Sequence, residues 1–257
     1  MRTEPPAQAG AAPTRLLLFQ LISPALPVGA FSYSEGLEVL VQQGRINSAE
    51  VLHGWLAAEL QRGTLGVEAA ALAPLLQAMA AGQWSTVHDL DGWLLALREA
   101  PEVRAQQRQM GRSLIQLLGE LGWRLPAGAD QGAATTAAPS PSAPASPSAA
   151  PPAPPPAQGL AWPAAWAWAG HCLGVPSTDL VEAYLFAWVA SQISAAVRLV
   201  PIGPTQGQGL QLRLAPLLAQ RAAELAHTDP HAMWSGGVGA GLAQLGHAEL
   251  YSRLFRS

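Results

Sequence analysis

The sequence predicts an all-α protein: a single helical-bundle-like domain of about eight to ten helices, interrupted by a disordered Pro/Ala-rich insertion. Three observations carry this. Apolar residues recur three and four positions apart over most of the chain. Capping residues, first-turn prolines and terminal glycines punctuate these runs. No run of alternating apolar and polar residues marks a strand.

Residues 1–13 hold three prolines and read as a disordered N-terminal tail. The first part of the domain is expected over 14–125. A helix starts at Arg15 and is stopped by Pro24 and Pro27. Gly29 frees the backbone there, and Ser32, three residues before Glu35, is expected to cap the next helix. Gly44 ends it. Asn47, three residues before Glu50, opens a third, with Val51, Leu52, Trp55, Leu56 and Leu60 along its apolar face. Val87, Leu90, Leu94 and Leu97 repeat the pattern. Pro101 suits a first helical turn. Beyond it Val103, Met110, Leu114, Leu117 and Leu121 form one face, and Arg104, Arg108 and Arg112 a basic stripe. Such a stripe is a solvated face or a contact for an acidic partner.

Residues 126–158 carry ten prolines in 33 positions, the rest mostly Ala, Ser, Gly and Thr. Such a segment buries too little apolar surface to offset its ordering entropy, so an extended linker is expected. The second part of the same domain spans 159–257. "AAWAWAGHCLGVP" stops at Gly174 with Pro176 beyond. Asp179 is expected to cap the next helix, which is apolar nearly all round, as a central core helix would be. Its apolar stretch barely reaches bilayer length and contains Ser191, Gln192 and Ser194, which favours a core over a membrane span. Pro216 marks a kink or boundary in the following helix, and Asp229-Pro230 restarts one.

Charged residues are 12% of the chain and hydrophobic ones 49%. Ordinary soluble domains are roughly 25% charged, so extra apolar surface for partners is expected. A net charge of −3 argues against a nucleic-acid footprint. A single cysteine, Cys172, excludes an intramolecular disulfide framework and fits a reducing cytoplasm.

Recognisable catalytic chemistry is missing. "SGGVGAG" at 235–241 lacks the Lys-Ser or Lys-Thr of a P-loop and reads as a turn or a close helix contact. His171 and Cys172 are adjacent and point apart on a helix. His227 and His231 are separated by a helix start at Pro230. No serine sits in a nucleophile elbow. No catalytic and no metal residue is assigned, and a binding protein is the favoured reading.

Four stretches form a pattern: "SPALPVGAFSYSEGLE" at 23–38, "RQMG" at 108–111, "SAAVRLVPIGPTQGQ" at 194–208 and "YSRLFRS" at 251–257. Together, in this order, they resemble the urease accessory protein UreF family, over about 14–123 and 160–257. The long insertion departs from the short connection expected in that family. The resemblance implies an all-helical, homodimeric, cytoplasmic scaffold that is not an enzyme. It implies three partners: UreD (also called UreH), the GTPase UreG and apo-urease. Nickel is then the delivered metal, with no cofactor bound tightly, and the GTPase cycle is a further point of influence.

Partner contacts are expected at the terminal Tyr251, Arg253, Leu254, Phe255, Arg256 and Ser257, as a tail that orders on binding UreD. Arg198, Gln206 and Gln208 are also candidates, each with a local role as alternative: a helix-end cation for Arg198, loop structure for the glutamines. Phe31 and Tyr33 anchor their turn against the core or a neighbouring protein. Two other readings stay open: a direct nickel-binding metallochaperone using His171, Cys172, His227 or His231, and an unrelated helical membrane-associated interaction protein.

Overall fold

The computed structural model describes residues 14–127, 129 and 159–256. The expectations for residues 1–13, for most of 126–158 and for Ser257 lie outside them. Among the described residues there are ten α-helices and no strand. In order they are α1 (Thr14–Leu21), α2 (Leu37–Gln42), α3 (Ala49–Arg62), α4 (Thr64–Ala80) and α5 (Trp84–Ala96). Then come α6 (Pro101–Glu120), α7 (Trp162–Leu173), α8 (Ser177–Leu199), α9 (Pro204–Leu225) and α10 (Val238–Gly246). Single 3-10 turns lie at Ala30–Ser32, Pro230–Ala232 and His247–Glu249.

Helix α4 is the axle. It packs against α3, α5, α7, α8 and α9. Its run Leu65–Ala73 is buried on every side, with Leu72 and Leu75 fully enclosed. No single apolar stripe marks it in the sequence, because all of its faces are covered. Pro74 sits inside it without ending it. One hydrophobic core extends from Leu21 to Phe255 and draws on helices from both sides of the insertion. Helix α8 is long and apolar enough to cross a membrane, and 56% of that apolar window is buried inside the fold. The α3–α4 pair passes the same test across a 42° bend. A buried core helix meets these criteria as well as a span does.

Gly44 and Gly174 stop their helices as expected, with φ of 71° and 65°. Several start signals are displaced. The cap of α3 is Ser48, which accepts from Val51 N, while Asn47 Nδ2 donates to the Gly44 carbonyl. Helix α8 begins at Ser177, two residues before Asp179, which lies in the first turn. Pro216 lies inside a continuous α9. Asp229 does cap, accepting from His231 N, but starts a single 3-10 turn. The buried face of α6 is Val103, Met110, Leu114 and Leu118; Leu117 is only half-buried and Leu121 is exposed.

A buried polar knot fastens α4 to α8 and to the end of α5. Arg98 donates to Glu68 at 2.8 Å, and Tyr184 Oη donates to the other Glu68 oxygen at 2.9 Å. All three side chains are buried. Burial pushes the Glu68 carboxyl up, opposed by the Arg98 charge. In α5, Asp91 accepts from Ala161 N at 3.0 Å and so fixes the entry to α7.

Candidate functional site

The stretch 23–38 is a turn with three left-handed backbone positions, Gly29, Glu35 and Gly36. Ser32 does not cap a helix as expected. It lies in the 3-10 turn, and α2 begins only at Leu37, behind Gly36. Gly36 is required twice over. Its φ is 88°, and a Cβ there would lie 2.9 Å from Gln244 N of α10. Glu35 holds φ 49°, a conformation that costs a non-glycine residue about 1 kcal/mol or more. Two bonds keep it there: Gln106 Nε2 of α6 donates at 2.9 Å and Trp188 Nε1 of α8 at 3.0 Å. Tyr33 turns into the core, and Phe31 is half-buried.

The strained turn aims Glu38 at the chain terminus. Glu38 is 2% exposed. Its carboxylate accepts from Leu254 N at 2.6 Å and Phe255 N at 3.1 Å, and His247 Nε2 lies 3.3 Å from it. His247 is fully buried, and its Nδ1 faces Glu102 Oε2 at 3.0 Å. Glu102 also pairs with Arg253 at 3.1 Å, and Arg253 donates to the Ala248 carbonyl. Arg256 N donates to the Ser32 carbonyl at 2.9 Å, and Gln42 Nε2 to the Ser252 carbonyl at 3.2 Å. Residues 252–256 are thus strapped to the turn that begins the fold, by backbone amides that have no helix or sheet to pair with.

This geometry sorts the expected contact residues. Phe255 points inward, 5% exposed, with the Arg198 guanidinium 5.8 Å from its ring centre. It is not a free anchor on a loose tail. Through residue 256 the strap is ordered by Glu38 and Phe255 within this chain. Tyr251 is fully exposed and Leu254 is 60% exposed, so these two face outward. Arg198 lies in the last turn of α8, where a cation suits the helix dipole. Gln206 Oε1 accepts from Gly203 N at the start of α9, a local role. Gln208 is exposed on α9, apart from that bond. In the basic stripe, Arg104 is used internally, donating to the Arg98 and Glu99 carbonyls, and Arg112 is exposed.

Sequence reasoning missed Glu38, Glu102 and His247. A usable signal was present for one of them. In a chain this poor in charge, the lone carboxylate in "GLEVLV" sits in an apolar run and had to be buried with partners. The order of the strap was missed too, because Ser32, Glu38 and Gln42, which hold it, lie more than 200 residues away.

Among the described residues no group of three His, Cys, Asp or Glu side chains is placed to hold a metal ion. Burial pushes the Cys172 thiol up to about 12, so it is a poor thiolate. His231 packs on Trp93 at 4.3 Å, and His171 stacks on Trp168 at 5.3 Å.

The family model of UreF matches residues 46–215, which take in α3–α8 and half of α9. The chain is 37% identical over 242 residues to the urease accessory protein UreF of Thermosynechococcus vestitus, covering 94% of this chain and 97% of that one. It is similar to UreF of Trichormus variabilis at 37% identity, covering 94% and 95%. UreF of Alkalilimnicola ehrlichii is also 37% identical, covering 93% and 94%.

Proposed function

The chain belongs to the UreF family of urease accessory proteins, and from that membership we propose that it is the helical scaffold joining UreD (UreH) to the GTPase UreG on apo-urease. Nickel is the cargo of this assembly, handed to apo-urease while the scaffold holds the partners together. The scaffold acts in the cytoplasm as a homodimer and modulates the GTPase cycle through the surface it presents.

The observation that carries this reading is the strap. A terminus held by two backbone bonds to one buried carboxylate has less ordering left to do on binding. It offers Tyr251 and Leu254 outward beside Arg253 and Arg256, a mix of anchor and charge suited to an interface rim and centre. In this reading UreD meets a strap already held against the turn at 23–38.

Co-purification tests the reading. Tagged protein expressed with UreD and UreG is expected to retain both partners. Deleting 251–257 is expected to release UreD. Retention of neither partner by the intact chain would refute the scaffold reading. Unchanged UreD affinity after the deletion would refute the strap assignment alone.

A further inference from the structure

A cavity of about 40 Å³ lies between the turn at 23–38 and helices α4, α6 and α8. Glu35 of the turn, Glu68 of α4 and Gln107 of α6 face it. Gln107 is 3% exposed, and its Oε1 is buried with no hydrogen-bond partner. An acceptor left unmade there carries the full desolvation cost of an amide oxygen. Glu35 accepts from Gln106 and Trp188, and Glu68 from Arg98 and Tyr184, which leaves lone pairs to spare on both carboxylates. The charges do not balance either. Glu68 is paired with Arg98 at 2.6 Å, while Glu35, among the described residues, makes no ion pair. Glu35 is close enough to push the buried Glu68 carboxyl further up. The aromatic rings of Trp162, Tyr184 and Trp188 supply much of the remaining wall. Spare acceptors, unbalanced negative charge and π faces together select a small cation that donates hydrogen bonds.

We propose that this cavity binds an ammonium ion. At roughly 10–15 Å³ per water, the space holds about two or three waters or one such ion. The N–H groups of ammonium serve Gln107 Oε1, the spare lone pairs of Glu35 and Glu68, and an aromatic face. Water brings no charge and leaves Glu35 uncompensated. Potassium brings charge without directed donors. A coordinated metal ion suits the site less, since among the described residues no group of three His, Cys, Asp or Glu side chains is placed to hold one. Bound there, the ion joins the turn at 23–38 to α4 and α6, three residues before Glu38. The inference does not depend on UreD or UreG and stands or falls separately from the scaffold reading.

The test is thermal melting of the full chain at neutral pH and constant total chloride, with sodium replaced stepwise by ammonium or by potassium. Ammonium is expected to raise the melting temperature along a saturable curve, as a ligand of the folded state does. Potassium is expected to give no such rise. Gln107→Leu removes the orphan oxygen at similar volume. In sodium it is expected to be at least as stable as the native chain, because an unpaired buried polar group is replaced by an apolar one. The ammonium concentration for half-effect is expected to rise at least tenfold in that variant. No rise with ammonium, an equal rise with potassium, or an unchanged ammonium response in Gln107→Leu would each overturn the proposal. The comparison of salts uses the native chain, so it decides the matter even where Gln107→Leu does not fold.

Discussion

At the scale of single residues, Glu38 decides where the chain ends up. Hydrogen bonds to a charged group contribute about 1.5–3 kcal/mol each, and Glu38 accepts two from backbone amides of the strap. Glu38→Gln keeps one acceptor oxygen but turns an amide toward N–H donors. The expected cost is about 2 kcal/mol, confined to the strap. Hydrogen exchange checks this: the Leu254 and Phe255 amides are expected to exchange faster, with α4 unchanged. The sequence displayed this residue within a recognisable stretch, yet its role was not legible. Its donors are backbone amides distant in the chain, and backbone donors carry no sequence signature. The outward Tyr251 and the inward Tyr33 were legible as anchors in kind, though not in direction. Phe255 shows the same limit, since a terminal aromatic in "YSRLFRS" carries no mark of which side it will turn to.

At the scale of elements, helix identity was legible and helix ends were not. Periodicity located α3, α5 and α6, because each must bury a face, while α8 was marked by apolar residues nearly all round. The cap slipped by one residue at α3, from Asn47 to Ser48, since Ser and Asn compete for the same role within a turn, and by three at α8, where Pro176 holds the position without a side-chain bond. Helix α2 failed at its start for a different reason. Glu35, which looked like the third residue of a capping box, is spent on Gln106 and Trp188 instead. Contacts between elements rest on glycines. Gly111 of α6 lies where α7 begins, and a Cβ there would fall 2.7 Å from the Ala161 carbonyl carbon. Gly111→Ala is expected to cost about 1–3 kcal/mol by overpacking, read as a lowered denaturation midpoint at unchanged slope. The knot between α4 and α8 is more sensitive. Arg98→Met leaves Glu68 buried without its cation, and a loss of about 3–5 kcal/mol is expected.

At the scale of the whole molecule, charge scarcity shapes the response to pH. Burial pushes Asp91 and Glu59 up to about 7. A carboxyl raised in the folded state holds its proton there after the unfolded chain has lost it. Its stabilisation is therefore full below the unfolded pKa and is lost as pH rises through about 7. The melting temperature is expected to fall between pH 5 and pH 8, and Asp91→Asn to make that fall shallower. A flat profile in both proteins would contradict the burial of Asp91. The low charge content also explains why apolar surface remains, with Trp234, Val238 and Leu242 exposed around α10 and Tyr251 beyond it. That such surface exists was readable from composition; where it lies depends on how the turn at 23–38, α10 and the strap meet. The most direct measurement is the affinity of UreD for the chain carrying Tyr251→Ala and Leu254→Ala together. Both side chains are exposed and neither holds the strap, so stability is expected to stay unchanged while affinity falls at least tenfold. Equal affinity for the double variant and the native chain, at equal melting temperature, would contradict the strap as the contact for UreD.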